Sequence, residues 1–242
     1  MNKWENISTE ELQELIEFTA SSAVLKAFDV EALSDLTGGI AAKRNKPTDN
    51  AETLRGIVRF ALGDDIADEE QRKAHQRMFI ENLYAGIEQE DSDLREIEAE
   101  LNRRESGSED SQSSDGSKWS EYDTETLVLM VTNEQITYRV TESDRLGLDR
   151  MIDGVKRLQR RQRALKRRQS GTSRTKRVTD SVVFRVLIRI AAGMDKPREE
   201  RLKHMDFVTD QIIKVLAAAA REQSDIKEEL SMRAMSAEEE TN

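Results

Sequence analysis

Twelve basic side chains stand within residues 150–177, RMIDGVKRLQRRQRALKRRQSGTSRTKR, beside a single acid, Asp153. Guanidinium and ammonium groups at this density neutralise phosphates and release their counterions. Arginine outnumbers lysine here, which suits bidentate phosphate contact. No aromatic residue occurs between Arg150 and Arg177. Base stacking is therefore not the expected mode, and recognition of backbone or duplex shape with little sequence choice is. The candidate nucleic-acid-binding residues are Lys156, Arg157, Arg160, Arg161, Arg163, Lys166, Arg167, Arg168, Arg174, Lys176 and Arg177. The formal net charge of the chain is -10. Its own acidic segments are thus the other candidate partner for these cations.

The same chemistry can serve as a transport address. Lys166, Arg167 and Arg168 form one cluster and Arg174, Lys176 and Arg177 a second, in the spacing of a bipartite nuclear signal. Lys43, Arg44 and Lys46 are another candidate.

A helix has to carry most of this stretch. Leu148, Met151, Val155, Leu158, Gln162, Leu165 and Gln169 recur in steps of three and four, the seam of one helix from about Ser143 to Gln169. Gly171 breaks it, and GTSRTKR reads as a mobile basic strap.

Upstream, Ser8 and Glu11 form a capping box with Ile7 and Leu12 as its staple, and helical spacing continues to Phe28. A short helix from Val30 to Leu36 stops at Gly38-Gly39, and AAKRNKPTDN reads as a loop. Asp49 and Glu52 open another helix through Leu54, Ile57, Val58, Ala61 and Leu62, which Gly63 ends. A longer helix spans about Asp68 to Gln89, and another follows it with Leu94, Ile97 and Leu101 as a thin stripe.

Downstream, Leu127–Val131 and Ile136–Val140 read as a β-hairpin. Ser181–Gly193 reads as a buried helix with Arg185 and Arg189 on one wet edge, or as a strand by its alternation. Leu202, Met205, Val208, Ile212, Val215 and Ala219 line a last helix, and the Glu-rich residues after Ser224 are expected to fray.

The expected fold is mainly α: an N-terminal helical bundle plus a smaller C-terminal helical domain with one β-hairpin. Its parts are an acidic N-terminal helical domain at 1–104 and a flexible acidic linker at 105–118. A hairpin-plus-helices domain with the basic helix follows at 119–222, then a disordered acidic tail at 223–242. The thin apolar stripes lead us to expect a homo-oligomer.

Enzyme chemistry finds little to stand on. There is no cysteine, which excludes thiolate ligands and nucleophiles. His75 and His204 are the only histidines, each alone on an expected helix. No GxxxxGK[ST] loop is present. A non-enzyme without cofactor or metal, and without a membrane span, is expected.

The segments KRLQRRQRALKRRQ and SRTKR, with AAKRNKP as a second basic site, resemble the RNA-binding accessory proteins of orthomyxoviruses of the salmon isavirus type. Chain length, helical make-up, charge-contrasted halves and lack of cysteine are similar too. The resemblance implies RNA binding, entry into the nucleus as well as the host cytoplasm, with the virion as a further location, and antagonism of the host interferon response, with host proteins as further partners. The competing expectation is a matrix- or scaffold-like protein that self-assembles.

Overall fold

A computed structural model describes residue 4 and residues 7–106, 119–167 and 178–240. The elements in chain order are α1 (Thr9–Ile16), β1 (Phe18–Lys26), α2 (Ala27–Arg44), α3 (Asn50–Leu62) and α4 (Glu69–Glu105), then α5 (Thr124–Val131), β2 (Asn133–Thr141), α6 (Glu142–Arg167), α7 (Asp180–Ala192) and α8 (Arg198–Glu240). Helix, strand, two helices and a long helix thus occur twice. The chain is a tandem structural repeat.

Local chemistry repeats with it. Ser8 and Asp123 cap α1 and α5, accepting from the amides of Glu11 and Thr126, and Leu12 and Leu127 beneath them are fully buried. Asp49 and Thr179 cap α3 and α7 in the same way, each satisfying an otherwise orphaned first-turn amide. Gly63 and Gly193 end those helices at φ 68° and 61°, a left-handed conformation in which a Cβ is strained. The imidazole Nε2 of His75 donates to the Phe60 carbonyl and that of His204 to the Ile190 carbonyl, both at 2.8 Å.

The two repeats interlock rather than sit side by side. β1 pairs antiparallel with β2 from Phe18↔Thr141 to Lys26↔Asn133, centred on Ser22↔Thr137. Those central residues are equivalent in the two repeats, so an approximate two-fold axis passes through the ribbon. A two-stranded ribbon is marginal alone. This one buries Ala23, Leu25, Tyr138 and Val140 in the main core, and Tyr138 meets Phe184 of α7 edge-on, centroids 5.0 Å apart. That core runs from Ala23 to Leu216 and draws on α2, α3, α4, α6, α7 and α8. Each fully buried Leu, Ile or Phe contributes about 1.5–3 kcal/mol by leaving water.

At the far ends the repeats grip each other reciprocally. Arg104, held by Glu100, donates to the carbonyls of Trp119 and Tyr122. Its counterpart Arg233, held by Glu229, donates to the carbonyls of Trp4 and Ile7.

The fold is mainly helical with one antiparallel two-stranded β unit, as the pattern predicts. The strand partners differ from expectation. Residues 124–131 form α5, and β2 pairs instead with Phe18–Lys26, which the spacing reads as helix. FTASSAVLK has weak strand propensity, and pairing with ITYRVT overrides it. α2 passes through Gly38-Gly39 to Arg44, ending at Asn45. Its buried face, Leu33, Leu36, Thr37 and Ile40, outweighs the glycine penalty of about 1 kcal/mol each.

The 105–118 segment separates the repeats in sequence, while the main core spans both sides of it. Nor is the stretch after Ser224 a frayed tail as far as Glu240. It is the end of α8, because Ile226 and Leu230 pack with Trp4 and Leu12. Residues 181–192 are helical, and Arg185 and Arg189 are ion-paired rather than a wet edge.

Candidate nucleic-acid interface

α6 changes character along its length. Leu148, Met151, Ile152 and Val155 are buried, and Gly154 lets α4 approach so closely that a Cβ there would meet Ile80 Cδ1 at 2.5 Å. Beyond Val155 the helix emerges. Arg157, Arg160 and Arg161 are exposed, Lys156 and Arg163 partly so. Lys156 lies 3.8 Å from Asp153, one turn back.

Among the described residues, Arg157, Arg160 and Arg161 have no ion-pair or hydrogen-bond partner. Arg163 lies near Tyr84 of α4. Burial, together with nearby Glu88, pushes the Tyr84 phenol above its ordinary pKa, and Arg163 draws it partly back. The side chains of Lys166 and Arg167, and all of Arg168, Arg174, Lys176 and Arg177, lie outside the described residues.

The second basic candidate is not in a loop. Lys43 and Arg44 form the last turn of α2. Lys43 Nζ lies 2.5 and 2.7 Å from the carboxylates of Asp206 and Asp210 on α8. Arg44 pairs with Glu52 of α3 at 2.6 Å. Only Lys46 of this group is exposed without a described partner.

The most engaged arginines escape a reading by local charge density. They lie in the repeated pattern Arg55-x3-Arg59-x3-Gly63 and Arg185-x3-Arg189-x3-Gly193. Arg59 of α3 reaches Asp144 of α6 at 2.5 Å, and Arg189 of α7 reaches Asp29 of α2 at 2.7 Å. The two carboxylates are equivalent, so each repeat holds the other by the same bond. Burial raises the pKa of Asp29, against the pull of Arg189. Asp144 also accepts from the amide and hydroxyl of Thr141. The signal for these residues was present as an internal repeat. WENISTEEL and WSEYDTETL share Trp, Thr, Glu and Leu at matching positions.

Across the approximate axis lies an apolar cavity of about 450 Å³ between α3–α4 and α7–α8. Its lining comes in equivalent pairs: Ile57 with Leu187, Phe60 with Ile190, His75 with His204. The histidines spend Nε2 on carbonyls. Met78 and Phe207, equivalent residues at the rim, are about half exposed, 46% and 55%.

No described helix is long and apolar enough to cross a membrane. Comparison with protein-family models, curated proteins and solved structures gives no match to this chain.

Proposed function

We propose that the protein binds RNA through the outer half of α6 and the basic segment after it, as a non-enzymatic accessory protein. One observation carries the reading. The step from the α2 carboxylate to the α3 arginine, Asp29 to Arg59, becomes Asp144 to Arg189 in the second repeat, fifteen residues longer. α6 has 26 residues where α2 has 18. The surplus falls where the basic residues are densest. The first repeat makes the same connection with Asn45–Asp49 and a single lysine. The fold therefore does not require the basic stretch, and a charged addition that the scaffold does not need is explained by a partner. Exposed arginines without carboxylates suit a phosphate backbone.

Binding of a short RNA duplex, measured against salt, tests this. Affinity should fall steeply as salt rises, and Arg157→Glu/Arg160→Glu/Arg161→Glu should abolish it while helicity persists. Losing each phosphate contact should flatten the log–log slope by about one. No binding at low salt, or a flat slope, overturns the proposal.

In the resemblance noted above such binding would serve interferon antagonism in host cytoplasm and nucleus. A second reading, self-assembly as a matrix- or scaffold-like protein, is favoured by Met78 and Phe207, which hold apolar surface in water beside the cavity.

A further inference from the structure

Arg55 and Arg185 are equivalent in the two repeats, yet only one of them has a carboxylate. Arg185 donates from Nε and Nη2 to Glu90 at 2.5 and 3.3 Å, and from Nη1 to the Val24 carbonyl at 3.0 Å. In the second repeat Ala219 stands where Glu90 stands in the first. The register is set on one side by His75 and His204, which make the same carbonyl bond, and on the other by the Glu100–Arg104 and Glu229–Arg233 pairs.

Arg55 is left without the partner its twin possesses. Its Nε is buried with no hydrogen-bond partner among the described residues, and its guanidinium lies over the Phe18 ring at 4.6 Å. Exposed Arg139 of β2 reaches the same ring at 5.6 Å, and it too has no described carboxylate.

The neighbouring acids are already engaged. Glu52 holds Arg44, Asp144 holds Arg59 and Thr141, and Asp49 caps α3. Burial lowers the pKa of Arg55 against the more distant pull of Asp144, Glu52 and Asp49, so its charge is partly desolvated while no described carboxylate bonds to it.

We propose that Arg55 and Arg139 form a phosphate-binding site beside Phe18, in the place equivalent to the one Glu90 fills beside Arg185. Two guanidinium groups with no bonded carboxylate match the charge of a phosphate better than that of a carboxylate. The site stands apart from the outer half of α6 and does not depend on RNA binding there. The phosphate comes either from a nucleic acid or from a free phosphorylated molecule.

The repeat supplies its own test. Ala219→Glu gives Arg55 the internal carboxylate that Arg185 has. Inorganic phosphate is titrated into the full chain by calorimetry at constant ionic strength. The wild-type protein should bind it saturably, and Ala219→Glu should weaken binding at least tenfold while raising the melting temperature. Arg139→Gln, at an exposed position, should weaken it as well and serves if Ala219→Glu does not fold.

Absence of saturable binding to the wild-type chain overturns the site. So does unchanged binding by the folded variants. A parallel titration with duplex RNA tells the sources apart. A shallower salt slope in Ala219→Glu assigns the phosphate to nucleic acid, and an unchanged slope assigns it to a free phosphorylated ligand. Loss of RNA binding on changing α6 alone, with phosphate binding retained, separates the two proposals.

Discussion

The reciprocal ion pairs that join the repeats lend themselves to a sharp perturbation, Asp29→Asn. The Asp29 carboxylate is 0% exposed, and Arg189 grips both of its oxygens, Nε to Oδ1 at 2.7 Å and Nη2 to Oδ2 at 3.1 Å. The amide keeps the shape and one acceptor but removes the charge and turns a donor toward the guanidinium. Breaking a buried pair while leaving one charge behind costs about 3–5 kcal/mol. The retained acceptor places this change near the lower end, about 3 kcal/mol. Against a typical total of about 5–15 kcal/mol, the protein stays folded but is measurably weakened.

Urea denaturation followed by circular dichroism reads the loss as a lower midpoint at unchanged slope. The companion Asp29→Asn/Arg189→Met, which removes both charges, should recover at least 1 kcal/mol relative to the sum of the single changes, because no uncompensated ion remains. A cost for Asp29→Asn below about 1 kcal/mol, or strict additivity in the cycle, would refute the claim that this bond holds the repeats together.

Two further outcomes follow from the interlocked core. Co-expressed chains 1–106 and 119–242 should associate into a one-to-one complex with the helicity of the intact protein, while either piece alone should lose cooperative unfolding, since the main core draws on both. Calorimetry and size-exclusion chromatography of the pieces check this, and an autonomously folded monomeric half contradicts it. If the cavity rim mediates self-assembly, light scattering should show an oligomer that Phe207→Ser dissociates. A strict monomer at working concentration counts against assembly.

Much of the architecture was legible locally. The capping box at Ser8, the N-cap at Asp49, the glycine stops at Gly63 and Gly193 and the seam through Leu148, Met151 and Val155 depend on neighbours a few residues away, and they formed where the pattern placed them, although the Glu52 carboxylate that would close a box at Asp49 holds Arg44 instead. The apolar seam of α6 and the density of its arginines were readable in the same way, and Arg157, Arg160 and Arg161 are indeed exposed. β1 could not be read locally. Its alanines and serines take an extended form because β2 lies alongside it, more than a hundred positions away in sequence.

Taken alone, the amino-acid order determined helix ends, apolar faces and the place where positive charge accumulates, since each follows from side chains within one or two turns. It also contained the repeat, in paired tryptophans, paired histidines and the Arg-x3-Arg-x3-Gly pattern. Only the tertiary structure decided what each arginine does. Arg59 and Arg189 became reciprocal clasps because the approximate two-fold brings Asp144 and Asp29 within bonding distance. Arg185 found Glu90, while Arg55 in the same pattern, with Ala219 at the position equivalent to Glu90, lies over the Phe18 ring. A guanidinium carries the same charge in all four positions, so its role is set by whether a carboxylate lies within about 3 Å, and that is a matter of distance across the fold rather than of sequence.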